Sequence, residues 1–190
     1  MRDDDVRRNG EIGEASVEAA LRKKSPICRR NPLKDNVYQD GEFRKSCYWF
    51  DIEMSMYHDR WVEVKRDNKT KEFNNVVIET HSDVLSTGVW QPSGILLSKA
   101  EYWIIITPEL RYWMADLYTL RWLALVCDEQ FTYDTSKGIK CTRGVEDKVG
   151  VHNESSRVNT KLRAIPIPLL EKYCLDFGTD INKLNTDKIL

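Results

Sequence analysis

The sequence predicts an α/β fold, a mixed β-sheet of four to five strands flanked by helices, and three observations predict it. The first is an amphipathic pattern at helical spacing over residues 10–24, where Ile12, Val17, Ala20 and Leu21 fall near one stripe. The second is a pair of β-like runs, 47–57 and 60–66, separated by His58-Asp59, which together read as a hairpin. The third is a short apolar run at 102–107, flanked by turn formers, which reads as a central strand. Helix, strands, loop, strand, helix and late strand, in that order, suit a sheet covered by helices.

Residues 1–9 are polar and read as a flexible arm. Pro26 closes the first helix, because the residue before proline is pushed out of helical geometry. Residues 31–46 are rich in turn formers and read as a loop. In the second arm of the hairpin, Trp61, Glu63 and Lys65 alternate with Val62 and Val64, so the two sets leave opposite faces. Asp67-Asn68-Lys69 signals a turn, Val76-Val77-Ile78 a third strand, and His81-Ser82-Asp83 a polar loop. Residues 88–97 form a turn-rich stretch around Trp90-Gln91-Pro92-Ser93-Gly94. Residues 110–127, with Leu117, Leu120, Leu123 and Leu125 among aromatics, predict a second long helix. Residues 129–157 are polar and without period, and 128–160 is expected to be an insertion or a long loop. Residues 164–170 carry Pro166 and Pro168, which restricts that run to an edge strand. The last twenty residues predict a short helix and a tail.

The chain has 190 residues, the size of one domain. Mean hydropathy is −0.54, and the longest apolar runs fall far short of a bilayer span, so no membrane partner is expected. The acidic start Met1-Arg2-Asp3-Asp4-Asp5 lacks the apolar region of a secretory signal. The five cysteines are widely spaced with no CxxC pair, and the three histidines do not sit at zinc-ligand spacing. The expectation is a cytoplasmic chain with idle thiols, in a host cytoplasm if the source is viral. A net charge of −1 argues against a generic nucleic-acid coat. Basic residues are nevertheless concentrated locally: Arg22, Lys23, Lys24, Arg29, Arg30 and Lys34 fall in a stretch with no acid, a candidate for phosphate contact.

The chemistry centres on the hairpin. Glu63 and Lys65 share a face, and a turn at 58–59 sets Asp51 across from the neighbourhood of residue 66. Two close carboxylates suit an oxygen-loving cation such as Mg²⁺ or Mn²⁺. A lysine beside them can orient a water or offset charge building on a phosphate. Among the six tryptophans, Trp90 lies in a polar loop and is the best candidate for stacking on a base; most of the others sit in apolar stretches.

Phe50-Asp51-Ile52 followed by Trp61-Val62-Glu63-Val64-Lys65 resembles the core motif of the PD-(D/E)xK, or restriction-endonuclease-like, nucleases, with Phe50 where the motif's proline stands. Gly13-Glu14, with Val17 and Leu21 after it, is similar to the family's first-helix motif, and Glu18 one turn on is the alternative glutamate. The resemblance covers about residues 10–108. A narrower one follows: Asn75-Val76-Val77-Ile78-Glu79, Pro92-Ser93-Gly94-Ile95 and Ser98-Lys99-Ala100-Glu101-Tyr102 are similar to phage-type members of the superfamily.

The resemblance implies one nuclease domain over 1–190, cutting phosphodiester bonds with Mg²⁺ or Mn²⁺. The substrate it implies is DNA, with RNA as the alternative, and dimeric action is common in such enzymes. It implies that Asp51, Glu63, the Val64 carbonyl and Glu14 hold the metal, and that Lys65 serves the attacking water. Glu79 would stand beside the strand of Glu63, with Ser93 and Lys99 near the substrate. Two other functions fit the same residues. One is a nucleic-acid-binding or assembly module that keeps the fold without turnover. The other is an RNA endonuclease of cap-snatching type, which would ordinarily add a first-helix histidine absent from this sequence.

Overall fold

A computed structural model describes residues 3–23, 28–30, 38–39, 42–43, 51–55, 59–68, 70, 74–84, 88–134, 140–152 and 158–189. The fold is mixed α/β. The chain divides into two compact units, Met1–Asn68 with Leu97–Leu117 and Cys174–Leu190, and Lys69–Leu96 with Tyr118–Tyr173.

The first unit is built on helix α1 (Asp3–Arg22) and strands β1 (Cys28–Arg30), β4 (Ile52–Ser55), β5 (Asp59–Arg66), β8 (Tyr102–Ile106), β9 (Tyr112–Asp116) and β14 (Asp176–Gly178). These strands form one six-stranded sheet in the order β1-β4-β5-β8-β9-β14, and a separate small ribbon pairs β2 (Tyr38–Gln39) with β3 (Glu42–Phe43). All neighbours in the larger sheet run antiparallel except β5 and β8, which are parallel. Parallel neighbours need a long connection, and here it is the chain between Arg66 and Tyr102.

Helix α1 begins at Asp3, so residues 3–9, expected as an arm, belong to its first turns. Its inward stripe is Gly13, Val17, Ala20 and Leu21, whereas Ile12 is 46% exposed. The stripe packs on Ile52, Met54, Val62, Val64, Ile104 and Ile106, which form the core on that side of the sheet. Gly13 makes the approach close. A Cβ there would stand 3.1 Å from the Arg66 Cβ and 3.5 Å from the Ile106 Cγ2.

The second unit carries a four-stranded antiparallel sheet ordered β12 (Glu146–His152), β13 (Val158–Pro166), β6 (Asn75–Val84), β7 (Gln91–Pro92). It also holds the ribbon β10 (Phe131–Asp134) with β11 (Lys140–Arg143), the rest of helix α2 (Leu117–Leu125), and helix α3 (Ile167–Tyr173).

Five expectations are corrected. The single sheet of four to five strands is a six-stranded sheet plus a separate four-stranded one. Residues 112–116, expected as helix, are β9; Tyr112, Trp113, Met114 and Ala115 are all buried, so burial on both faces hides the two-residue period. The polar stretch 129–157 contains β10, β11 and β12, and His81-Ser82-Asp83 lies within β6. The strand with prolines is not at an edge: β13 lies between β12 and β6. Pro166 is its last residue, and Pro168 falls in the first turn of α3, where a missing N–H is tolerated.

Candidate functional site

The hairpin of β4 and β5 pairs Ile52 with Val62 and Ser55 with Asp59. Continued by one residue, this register sets Asp51 across from Glu63. The expected turn at 58–59 would have set it across from residue 66; the pairing corrects that offset by three, and residues 56–58 lie outside the described residues.

At Asp51 the chain leaves the regular ladder. Its N–H still donates to the Val62 carbonyl at 2.9 Å. Its side chain then takes over: Oδ2 accepts the Val64 N–H at 2.6 Å. A carboxylate therefore accepts a strand N–H that in a regular ladder would go to a backbone carbonyl. Asp51 is only 4% exposed, so the contact is made largely out of water, where such a bond to a charged acceptor is strong. The N–H and C=O of one strand residue point to the same edge of the strand. The Val64 carbonyl therefore faces the edge where the Asp51 carboxylate sits.

Glu63 and Lys65 leave the face of β5 opposite Val62 and Val64, and both are partly buried. One carboxylate oxygen of Glu63 and the indole nitrogen of Trp61 are fully buried. Glu63 is in register with Trp103, and Lys65 with Ile105, across to β8. Both partners are buried, so the row of Glu63 and Lys65 runs beside an apolar wall. The Trp103 indole N–H donates to Ser98 Oγ at 3.2 Å, which fixes that wall to the segment leading into β8.

Glu14 is buried on α1 at 7% exposure. Glu18, the alternative, is ion-paired with Arg22 at 2.7 Å. It also stands near Cys28, whose thiol is pushed up to about 11, chiefly by burial and then by the Glu18 charge. Among the described residues, no group of three or more His, Cys, Asp or Glu side chains is gathered closely enough to hold a metal ion. Among the side chains described on the hairpin, the carboxylates that face one another across it are Asp51 and Glu63.

The remaining candidates fall elsewhere. Glu79 lies on β6, whose neighbours are β13 and β7; the parallel place beside β5 is taken by β8, so Glu79 does not stand beside the strand of Glu63. Within the second unit it accepts a short hydrogen bond from Ser93 Oγ. Lys99 is exposed in the first unit. Trp90 is partly buried, with the Lys161 ammonium 4.5 Å from its ring centre. Of the basic stretch, Arg22 is paired with Glu18 and Lys23 donates to Asn182 Oδ1 at 2.8 Å. Lys24, Lys34 and the side chains of Arg29 and Arg30 lie outside the described residues.

Sequence reasoning missed Arg66. Its guanidinium donates to the Asn9 carbonyl at 3.4 Å and to Asn9 Oδ1 at 3.0 Å, which holds the start of α1 over the end of β5. The signal was present in Gly10 and Gly13, two small residues at helical spacing on the side where the strand approaches. Among the described residues, no helix is long and apolar enough to cross a membrane. No protein-family model matches this chain, and no curated protein or solved structure matches it significantly.

Proposed function

We propose that the first unit is a restriction-endonuclease-like core and that the protein is a divalent-metal-dependent nuclease acting on DNA. The observation that carries the reading is the placement of Asp51. Its buried carboxylate is pinned to the Val64 N–H, across from Glu63 and on the strand that bears Lys65.

The donors fit a hard cation. Asp51 and Glu63 offer carboxylate oxygens, and Val64 offers a peptide carbonyl at the same strand edge. Mg²⁺ keeps several waters and is usually held by one or two carboxylates together with phosphate oxygens, so a third acid is not required. When bound, such an ion lowers the pKa of its water and polarises a phosphoryl oxygen. Glu14, buried on α1, is the first-helix carboxylate of this reading, since Glu18 is engaged by Arg22.

The chain's own residues do the rest. Val64 N–H fixes the direction of the Asp51 carboxylate. Lys65 presents its ammonium on the face of Glu63, where it orients the attacking water or offsets charge growing on the phosphate. Trp103 and Ile105, buried beside them, keep water from one side and strengthen every charge interaction there.

The test is incubation of supercoiled plasmid, linear duplex, single-stranded DNA, a branched junction and RNA with Mg²⁺ or Mn²⁺, beside Lys65→Ala. Cleavage of a DNA substrate that falls by at least about a hundredfold in the variant supports the reading. Cleavage of RNA alone would replace DNA with RNA as substrate. No cleavage of any substrate, with binding retained, would replace the nuclease by a binding module.

A further inference from the structure

We infer that the β6–β7 corner of the second unit is a binding surface for unpaired nucleotides, with Trp90 as the stacking residue and Lys161 as the phosphate contact. The inference rests on the nuclease reading only for the kind of polymer bound, not for cleavage.

The surface is set by register. His81 is paired with Lys161 on one side, across β6 and β13, and with Pro92 on the other, across β6 and β7. Directly opposed residues project to the same face, and so do residues two apart on an extended segment. Lys161, His81, Pro92 and Trp90 therefore share one face. The lysine reaches across β6 to bring its ammonium 4.5 Å from the centre of the Trp90 ring. Lys161 and Pro92 are exposed, and His81 and Trp90 are partly so.

A bulge places the row. Leu162 pairs with Glu79 and Lys161 with His81, so Thr80 is an extra residue in β6. A bulge re-aims the side chains beside it, and this one is held on both flanks. Thr80 Oγ1 donates to the Lys161 carbonyl at 3.2 Å, and the Ser93 N–H donates to the Thr80 carbonyl at 2.8 Å. Gly94 follows with φ of +50°, and a Cβ there would lie 2.5 Å from the Glu79 carbonyl oxygen. The Trp90 loop is fixed at its start, where the buried Asp83 accepts the Gly88 N–H at 2.8 Å.

The chemistry of the face matches an unpaired nucleotide. Nearby acids are turned to internal tasks, Glu79 to Ser93 and Asp83 to Gly88. What remains outward is an aromatic ring and an ammonium, beside an imidazole whose Nδ1 is hydrogen-bonded to Thr80 Oγ1 at 3.1 Å. Proteins that hold single strands without sequence preference combine aromatic platforms with cations in this way. The Lys161 ammonium, resting on the ring in the free protein, moves to the phosphate when a base takes the ring.

The experiment measures binding of the full chain to a fluorescent oligothymidine in EDTA, with plasmid cleavage in Mn²⁺ followed in parallel. Trp90→Ala is expected to weaken binding at least about tenfold, and Trp90→Phe to keep most of it. An abasic oligomer should bind wild type as weakly as oligothymidine binds Trp90→Ala, and a blunt duplex should compete poorly. Lys161→Ala should reduce the slope of log affinity against log salt by about 0.7, the share of one phosphate contact on a single strand. Thermal unfolding checks that each variant folds; if Trp90→Ala does not, Trp90→Phe, Lys161→Ala and the abasic oligomer carry the test. No binding by wild type, or equal binding by folded variants with an unchanged salt slope, would overturn the inference. No cleavage of any of the five substrates by wild type, with Trp90-dependent binding intact, would sink the nuclease reading and leave this surface standing.

Discussion

Replacing Asp51 tests the contact on which the candidate site stands. The carboxylate is 4% exposed, and its Oδ2 accepts the Val64 N–H at 2.6 Å. Alanine removes the acceptor and strands that N–H inside the sheet. A hydrogen bond to a charged partner contributes about 1.5–3 kcal/mol, and a stranded buried donor costs about 1–3 kcal/mol. These describe the same loss from two sides, so Asp51→Ala is expected to destabilise by about 2 kcal/mol. Asparagine keeps an oxygen that can accept the same N–H, and Asp51→Asn should lose only about 0.5–1.5 kcal/mol. The assay is urea unfolding in EDTA, followed by far-ultraviolet circular dichroism. With a slope of about 2 kcal/mol per molar urea, the alanine midpoint falls by about 1 M and the asparagine midpoint by about half of that. Repeating the series in millimolar Mn²⁺ separates structure from ligation. Wild type gains stability through mass action on the folded state, and neither variant does. An alanine midpoint equal to wild type would refute the buried hydrogen bond. A Mn²⁺ gain as large in Asp51→Asn as in wild type would refute the metal role.

Three further outcomes are expected. Lys65→Ala should leave the urea midpoint within about 0.5 kcal/mol of wild type while cleavage falls at least about a hundredfold, since the side chain is partly exposed and is assigned to chemistry rather than packing; a matching loss of stability would reassign it. Gly94→Ala places a Cβ against the Glu79 carbonyl at positive φ, and a loss of about 2 kcal/mol should lower the thermal midpoint by roughly 4–8 °C. The Cys28 thiol, raised from 9.0 to about 11 chiefly by burial, binds its proton more tightly folded than unfolded. Its contribution is therefore complete below pH 9 and is lost as pH rises through 11. Stability followed from pH 8.5 upward should fall less steeply in Cys28→Ala than in wild type; identical slopes would exclude the linkage. Tyr112, whose hydroxyl is also raised by burial and then by its bond to Asp176, keeps part of the slope in that variant.

The hairpin was legible because its two faces meet different surroundings. Val62 and Val64 enter the core while Glu63 and Lys65 leave it, so burial writes a two-residue period into 60–66. β9 was not legible for the converse reason: Tyr112 to Ala115 are buried whichever way they point, and apolar residues in sequence carry no period. The segment 129–157 failed in the other direction, because residues such as Thr132, Thr142, Asp147 and Lys148 are exposed on its strands and read as loop. In the site, Asp51, Glu63 and Lys65 could be named from sequence, but the offset between them depended on a turn whose length local sequence does not state. The row of Lys161, His81 and Pro92 was out of reach altogether. It is assembled by strand pairing between residues far apart in the chain, and only Trp90, conspicuous in a polar loop, pointed toward it.

The six-stranded sheet takes its last strand, β14, from residues 176–178, while Asp51 and Glu63 lie in the first third of the chain. A ribosome making this protein thus emits the hairpin long before the sheet's far edge. At about 5–20 residues per second the interval is on the order of ten seconds. From the completion of β9 until β14 arrives, roughly half of that time, β9 presents an unsatisfied backbone edge, the kind that recruits other chains. The same interlacing means that no single cut releases either unit whole, since the first is assembled from three stretches of sequence and the second from two. Trimming the chain just after α3 would remove no residue of the candidate site, yet it would leave β9 exposed as a permanent edge. Aggregation on expression, rather than loss of chemistry, is the phenotype such a truncation should show.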